Sequence, residues 1–437
     1  MKNPKSFTLS LLLIFSITYL CSGQNTLKPS VKVSQLIDSI NLSLDNNYVF
    51  PDKAQRISKF LQSQSKKKAY ATLTKDPHKL AIEIQADIYK IHRDPHLLVE
   101  YNPEFAARSQ GKIEPSEEEI SQSKKYWKEN NYFFKKVELL PGNIGYFPFN
   151  GFVEHIEEAK PIIASALGFL ANTSAIIIDL RENQGGEPDM VSQLESYFFK
   201  EKTRMNDLVN RSNKDTTFYY ADPAKTNGLT LSMPVYILTS KKTFSAAEDF
   251  SYAMQQAKRA IIVGEVTGGG AHPTRPFAVG QGFIVSVPFA RSLNPVTKTD
   301  WEGTGVIPDF KIEATKALLK AQELIFKDRQ ITAHDEKEKQ KMQYLINALH
   351  VNQEPNTLPL DQFDQFTGTY GPLVIYRDGN NLFCKFSGNV TKLNHISGNL
   401  FVLDGNAQIN FIKDSNGIYS VAKLYVSNGD VFEERRK

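Results

Sequence analysis

The sequence is short of cysteine: two in 437 residues, Cys21 and Cys384. Cys21 falls in an N-terminal stretch that reads as removable, so one thiol would remain and an intramolecular disulfide is excluded. A charge excess is missing too. Lys and Arg number 52 against 48 Asp and Glu, a formal net charge of +4. That balance leaves no basic footprint for nucleic acid. After the first two dozen residues no window approaches the roughly 18 apolar residues of a membrane-spanning helix, so no transmembrane segment is expected. The glycine-rich run Gly268-Gly269-Gly270 lacks the Gly-Lys-Ser/Thr ending of a phosphate loop, which argues against a nucleotide cofactor. No internal repeat of the whole unit is visible.

What is present divides the chain into five parts. Residues 1–23 read as a targeting segment: Lys2 and Lys5, an apolar run over 9–20, then the small-residue site Cys21-Ser22-Gly23. They predict an exported protein, periplasmic or extracellular. Lipid anchoring at Cys21 is the alternative, although Leu20 stands where a small residue is expected. Residues 24–135 read as an N-terminal helical domain and its connection. Val33, Leu36, Ile37, Ile40 and Leu44 recur at helical spacing, as do Leu80, Ile82, Ile84, Ile88 and Ile91 less regularly. The helices end at His92-Arg93-Asp94-Pro95-His96, and an alternating strand follows over 97–101. His92 and His96 are four apart, but Pro95 breaks the helix between them and Arg93 occupies the place of a zinc-protease glutamate. No metal site is expected there. Residues 102–135 are polar and charged, a surface connection.

Residues 136–315 change character. Apolar strands over 143–147, 175–180, 235–238, 260–263 and 282–289 alternate with helical stretches over 154–170, 190–199 and after Ser245. Continuous apolar strands are buried on both faces, so the pattern is an α/β core. Residues 316–360 read as a helical linker with charged faces. Residues 361–437 form short alternating strands punctuated by Asp378-Gly379-Asn380, Ser397-Gly398-Asn399 and Asp404-Gly405-Asn406, a small antiparallel β domain of hairpins. Cys384 lies in one of these strands, where its reading is packing.

Four stretches could carry chemistry. Ser245 sits where a strand and a polar turn give way to a helix. With Glu248 three residues on, it spells a capping box. The same position suits a nucleophile, because helix N–H groups and the dipole can stabilise an oxyanion. Asp179-Leu180-Arg181-Glu182-Asn183-Gln184-Gly185-Gly186 ends a buried strand, and its paired glycines serve either a tight turn or an oxyanion hole. His272, after the Gly-Gly-Gly run, is a possible base, and Glu302 beside Trp301 a possible orienting carboxylate.

These stretches, in the order DLRENQGG, TSKKTFSAAEDF, VGEVTGGGAHP and WEGTGVIPDF, resemble the S41 serine peptidase family over roughly residues 30–315. They are closer to its tricorn-like and retinoid-binding-protein-like branch than to its carboxyl-terminal processing branch. The family's usual PDZ domain has no counterpart. The resemblance implies a crotonase/ClpP-like spiral core of ββα units and peptide or protein substrates, with no metal or cofactor. It implies Ser245 as nucleophile, and Gly185 or Gly186 together with Ala246 as backbone oxyanion donors. The processing branch has a lysine base about 25 residues after its serine, where this chain has Gly270. The tricorn-like branch has a Ser–His–Glu arrangement, which maps onto His96 in Asp94-Pro95-His96 and onto Glu302. That branch places a polar residue just before the histidine, and here it is Pro95. The resemblance also implies a second function, a non-catalytic binding module for an apolar ligand or peptide. A third is an envelope interaction protein whose terminal β domain is the adhesive part.

Overall fold

The computed structural model describes residues 30–109, 117–211, 215–350 and 358–437. The targeting segment read from residues 1–23 lies outside them. The chain divides into two compact units. One takes residues up to 138 together with 145–315, the other 139–144 together with 316–437.

The first unit opens with helices Val33–Asn47, Pro51–Lys66 and Pro77–Ile91. Pro51 and Pro77 stand at the first helical position, where a missing N–H costs nothing. Leu36, Ile37, Ile40, Leu44, Ile84 and Ile88 are buried, and Ile82, off that stripe, is exposed. This helical layer does not own its core. Val279, Phe283, Val285 and Val287 pack into the same cluster. They come from an antiparallel sheet in which strand Phe283–Pro288 lies between Leu98–Tyr101 and Thr274–Gly280. The register sets Val99 opposite Val285 and Tyr101 opposite Phe283. Residues nearly two hundred positions apart therefore fix the turn that carries His96.

The second layer is the expected α/β sheet. Strand Val235–Thr239 lies between Ala175–Asp179 and Ala260–Gly264, all parallel, and Phe310–Lys311 adds to the outer side of Ala260–Gly264. Every residue of Ala175–Asp179 and of Val235–Thr239 is buried, as strands covered on both faces require. Helices Ile156–Phe169, Pro188–Ser196 and Ala246–Gln256 supply Ile163, Leu167, Met190, Leu194, Phe250 and Met254 to the same core. A further antiparallel sheet, absent from the sequence reading, orders Ala290–Leu293, Thr203–Asn210 and Thr216–Ala221. The polar stretch read as a surface connection contains helices Pro103–Ser109 and Glu117–Glu129, and Trp127 of the latter is buried.

The second unit holds helix Glu336–Leu349 and an eight-stranded antiparallel sheet whose strands neighbour one another in chain order. A bridge from Tyr370 to Arg436 brings the first strand to the end of the chain, so the sheet curls into a near-barrel. Cys384 is buried in this sheet, and burial pushes its thiol up to about 11. Such a thiol forms no thiolate at neutral pH.

Candidate active site

The serine turn is built first by its backbone. After strand Val235–Thr239, Thr243 Oγ1 accepts from Ser240 N–H at 2.9 Å and donates to the Leu180 carbonyl at 2.8 Å. Phe244 N–H donates to the Asn183 carbonyl at 3.1 Å. The turn is thus tied to the DLRENQGG stretch before it reaches Ser245. Ser245 itself has φ 53° and ψ −121°, a left-handed conformation that a side-chain-bearing residue holds only when its surroundings impose it. Sharp, strained turns from strand to helix are how nucleophilic hydroxyls are exposed.

Glu248 imposes it. Its carboxylate is fully buried. It accepts from Ser245 N–H at 2.9 Å, Gly269 N–H at 2.6 Å and Gly270 N–H at 2.8 Å, and from the Thr267 hydroxyl. Burial pushes its carboxyl upward while these four donors push back, and the balance lies above the ordinary glutamate value. The sequence showed Glu248 as a cap partner only. Its larger role, joining the serine turn to the Gly-rich loop, has no local signature because the loop lies some twenty residues away.

The DLRENQGG glycines close the site from the other side. Gly185 has φ 100° and Gly186 has φ 139°. A Cβ on Gly185 would stand 2.7 Å from Ser245 Cβ and 2.8 Å from the Ala246 nitrogen. Their N–H groups differ. Gly185 N–H donates to Asn183 Oδ1 at 2.9 Å, whereas neither Gly186 N–H nor Ala246 N–H has a hydrogen-bond partner among the described residues. Both residues line one cavity with Ser245. A Cβ at position 186 would lie 1.8 Å from the Phe152 carbonyl oxygen. Gly186→Ala is therefore expected to destabilise the fold by about 2 kcal/mol or more, read from thermal or urea unfolding. An unchanged unfolding midpoint would show that this backbone yields.

His96 arrives from the helical layer. Its N–H donates to Asp94 Oδ1 at 2.9 Å, and Asp94 Oδ2 accepts from the buried Tyr48 hydroxyl at 2.8 Å. The His96 ring lies against Phe244, the residue before Ser245, with centroids 4.8 Å apart. Its Cε1 would be 2.5 Å from a Cβ built on Gly270. The space that a side chain at position 270 would enter is thus taken by His96 and Phe244. Burial pushes His96 down to about 4, against the opposing pull of Asp94. The ring is then neutral at pH 7, as a proton acceptor must be. Its Nδ1 is buried without a hydrogen-bond partner among the described residues.

Glu302 sits at the meeting point. One ligand atom each of Asp94, His96 and Glu302 lies within 4.8 Å of the others. Three such groups could in principle hold a cation, but the Asp94 oxygens already accept from Tyr48 and His96 N–H, and Glu302 Oε2 from Ala271 N–H at 2.6 Å. That last bond orients Glu302 where Pro95 offers no side-chain donor. Burial raises the Glu302 carboxyl to about 7. His272 is fully buried, with Nδ1 3.3 Å from Glu302 Oε2 and Nε2 3.7 Å from Asp300 Oδ2. The structure therefore places both candidate histidines beside the same glutamate. Only His96 packs on the residue preceding Ser245.

Comparison with known proteins gives this site a context. Residues 143–312 match the model for peptidase family S41. Residues 20–138 match the model for the N-terminal domain of Peptidase_S41 in eukaryotic IRBP. Together they account for about two thirds of the chain. The carboxyl-terminal-processing peptidase 2, chloroplastic, of Arabidopsis thaliana is 28% identical over 175 residues, 39% of this chain and 33% of that protein. The carboxyl-terminal-processing protease of Synechocystis is 29% identical over 176 residues, 40% of this chain and 39% of that one. The chain thus spans little more than a third of the length of the curated relatives it matches. Among solved structures, the tricorn protease aligns over 72% of this chain and 37% of its own, with 13% identity and a TM-score of 0.39.

Proposed function

The chain belongs to peptidase family S41, and from that premise we propose that it is an exported serine peptidase with a Ser245–His96–Glu302 catalytic set. The observation that carries this reading is the His96 ring, seated on Phe244 in the space that Gly270 leaves open. A lysine base has no place at Gly270, and a neutral imidazole stands beside the serine turn instead. His96 takes the proton from Ser245 as Oγ attacks the scissile carbonyl carbon. The oxyanion is held by the N–H groups of Gly186 and Ala246, and the resulting imidazolium is supported by Glu302. Collapse of the tetrahedral intermediate breaks the C–N bond and returns the proton from His96 to the leaving amine. Water, deprotonated by the same imidazole, then releases the acyl group from Ser245.

The core around the site is read as the crotonase/ClpP-like spiral of this family, and the substrate as an unstructured peptide or protein segment. Export, with lipid anchoring at Cys21 as the alternative, follows from the leader pattern alone. The test is direct. A serine-directed phosphonate should add covalently to Ser245, and Ser245→Ala should abolish both the adduct and peptide cleavage, a loss of at least about 10⁴-fold. Cleavage surviving that substitution would end this reading. A second reading, a non-catalytic binder of an apolar ligand or peptide, draws on the match to a domain described from IRBP. Ligand binding indifferent to Ser245→Ala, without cleavage, would favour it.

A further inference from the structure

We propose that the cavity beside Ser245 receives the substrate side chain on the acyl side of the scissile bond, and that it selects a basic side chain through Asp249. The inference rests on the peptidase reading and adds a substrate class to it.

Asp249 follows Ser245 by four residues on one helix, a rise of about 6 Å. That is the reach of a lysine or arginine stem. The two residues line the same cavity. Leu208, Tyr219, Pro188 and Trp301 give it apolar walls that suit a methylene chain. At its polar end stand Asp249, Asn206 and Ser292. Asn206 Nδ2 donates to Asp249 Oδ2 at 2.9 Å and to Ser292 Oγ at 3.3 Å. With both Nδ2 hydrogens so placed, the remaining capacity of Asp249 and Asn206 is for accepting. Asn206 Oδ1 has no hydrogen-bond partner among the described residues, although Asn206 is only 5% exposed.

Asp249 forms no ion pair among the described residues. Of the arginines on the strands that carry Asn206 and Ser292, Arg204 is held by Asp207 at 2.5 Å and Arg291 by Asp300 at 3.0 Å. A second acid, Glu195, lies close enough for the Asp249 charge to act on it. It is 1% exposed and its Oε1 has no partner. Burial pushes the Asp249 carboxyl up to about 7, as expected of an acid whose partner arrives with the ligand. An ammonium or guanidinium brings only donors and would satisfy Asp249 and Asn206 Oδ1 together. Norleucine would leave both unmatched, and citrulline, which keeps N–H donors, would leave the carboxylate without its countercharge.

The test uses the purified protein and a peptide series that differs only at this substrate position: arginine, citrulline, lysine and norleucine. Arginine and lysine peptides should be cleaved about 100-fold more efficiently than their neutral isosteres, the discrimination expected of a buried charge pair. In Asp249→Asn, verified as folded by circular dichroism, that ratio should fall to near one. Preference should also grow from pH 6 to pH 8 as Asp249 ionises. Wild-type protein that cleaves citrulline or norleucine peptides as well as arginine ones overturns the proposal while leaving the peptidase reading intact. So does Asp249→Asn that keeps the preference. If no peptide is cleaved, the same series is titrated against Ser245→Ala by fluorescence anisotropy. Selective binding of the arginine peptide upholds the pocket and rejects hydrolysis, and binding without selectivity rejects the pocket.

Discussion

Replacing His96 with alanine is expected to lower kcat/KM for peptide cleavage about 10⁴-fold, because an unassisted serine hydroxyl is a weak nucleophile near neutral pH. The same substitution should slow phosphonate addition at Ser245, since that reaction needs the same deprotonation. The control is His272→Ala. His272 is fully buried between Glu302 and Asp300, so its loss should disturb stability and Glu302 more than the chemistry at Ser245. If His272→Ala removes labelling while His96→Ala keeps it, the base has been assigned to the wrong histidine. The pH profile gives a second reading. Burial holds His96 near 4, below the ordinary 6.5 or so. The imidazole therefore stays a competent base down to acidic pH, and the acid limb of kcat/KM should lie well below that of an ordinary histidine. Glu302, raised to about 7 by burial, gains its charge as pH rises through neutrality. Its support for the imidazolium should add a step there, absent in Glu302→Gln.

Glu248→Ala is expected to be the most destabilising single change in the site, by about 4 kcal/mol. The Thr267 hydroxyl and the N–H groups of Ser245, Gly269 and Gly270 all end on this carboxylate. Truncation leaves four buried donors without an acceptor, each costing about 1–3 kcal/mol before relaxation. Glutamine restores little, because its amide keeps one acceptor oxygen and turns a donor toward donors. Urea unfolding would measure the loss. A change under about 1 kcal/mol would mean that the loops hold their shape without Glu248. Phosphonate labelling of the folded fraction separates the two consequences. With the Ser245 turn released from its left-handed conformation, labelling should slow even where the fold survives.

Much of this site was legible locally, for reasons that can be named. The strand before Ser245, the helix after it and the glycines at 185 and 186 follow from apolar periodicity and from the turn chemistry of the intervening residues. The α/β core and the C-terminal hairpins were legible for the same reasons, as period and turn residues are written in the chain. The sheet holding Asn206, Tyr219 and Ser292 was not. Residues 203–210 and 216–221 mix charged, polar and apolar side chains. Residues 216–220, Thr-Thr-Phe-Tyr-Tyr, are β-branched and aromatic but do not alternate, so they carry composition without the period of a half-buried strand. The helical region likewise read as self-contained, whereas Val279, Phe283, Val285 and Val287 complete its core.

By itself the sequence determined that Ser245 would stand at the mouth of a helix, that Gly185 and Gly186 would permit a tight turn at the end of their own strand, and that Glu248 would cap the serine turn. Those are consequences of near-neighbour geometry, set by spacings of two to four residues. Only the tertiary structure decided what surrounds the serine turn. Pairing of Leu98–Tyr101 with Phe283–Pro288 carries His96 to Gly270 and Phe244. The docking of Trp301 Nε1 on the Gly270 carbonyl at 3.1 Å carries Glu302 to His96. The sheet around Asn206 brings Asp249 its acceptor-rich surroundings. Each of these depends on strand register and loop closure across tens to hundreds of residues, which the hydrophobic core fixes as a whole and no local pattern encodes.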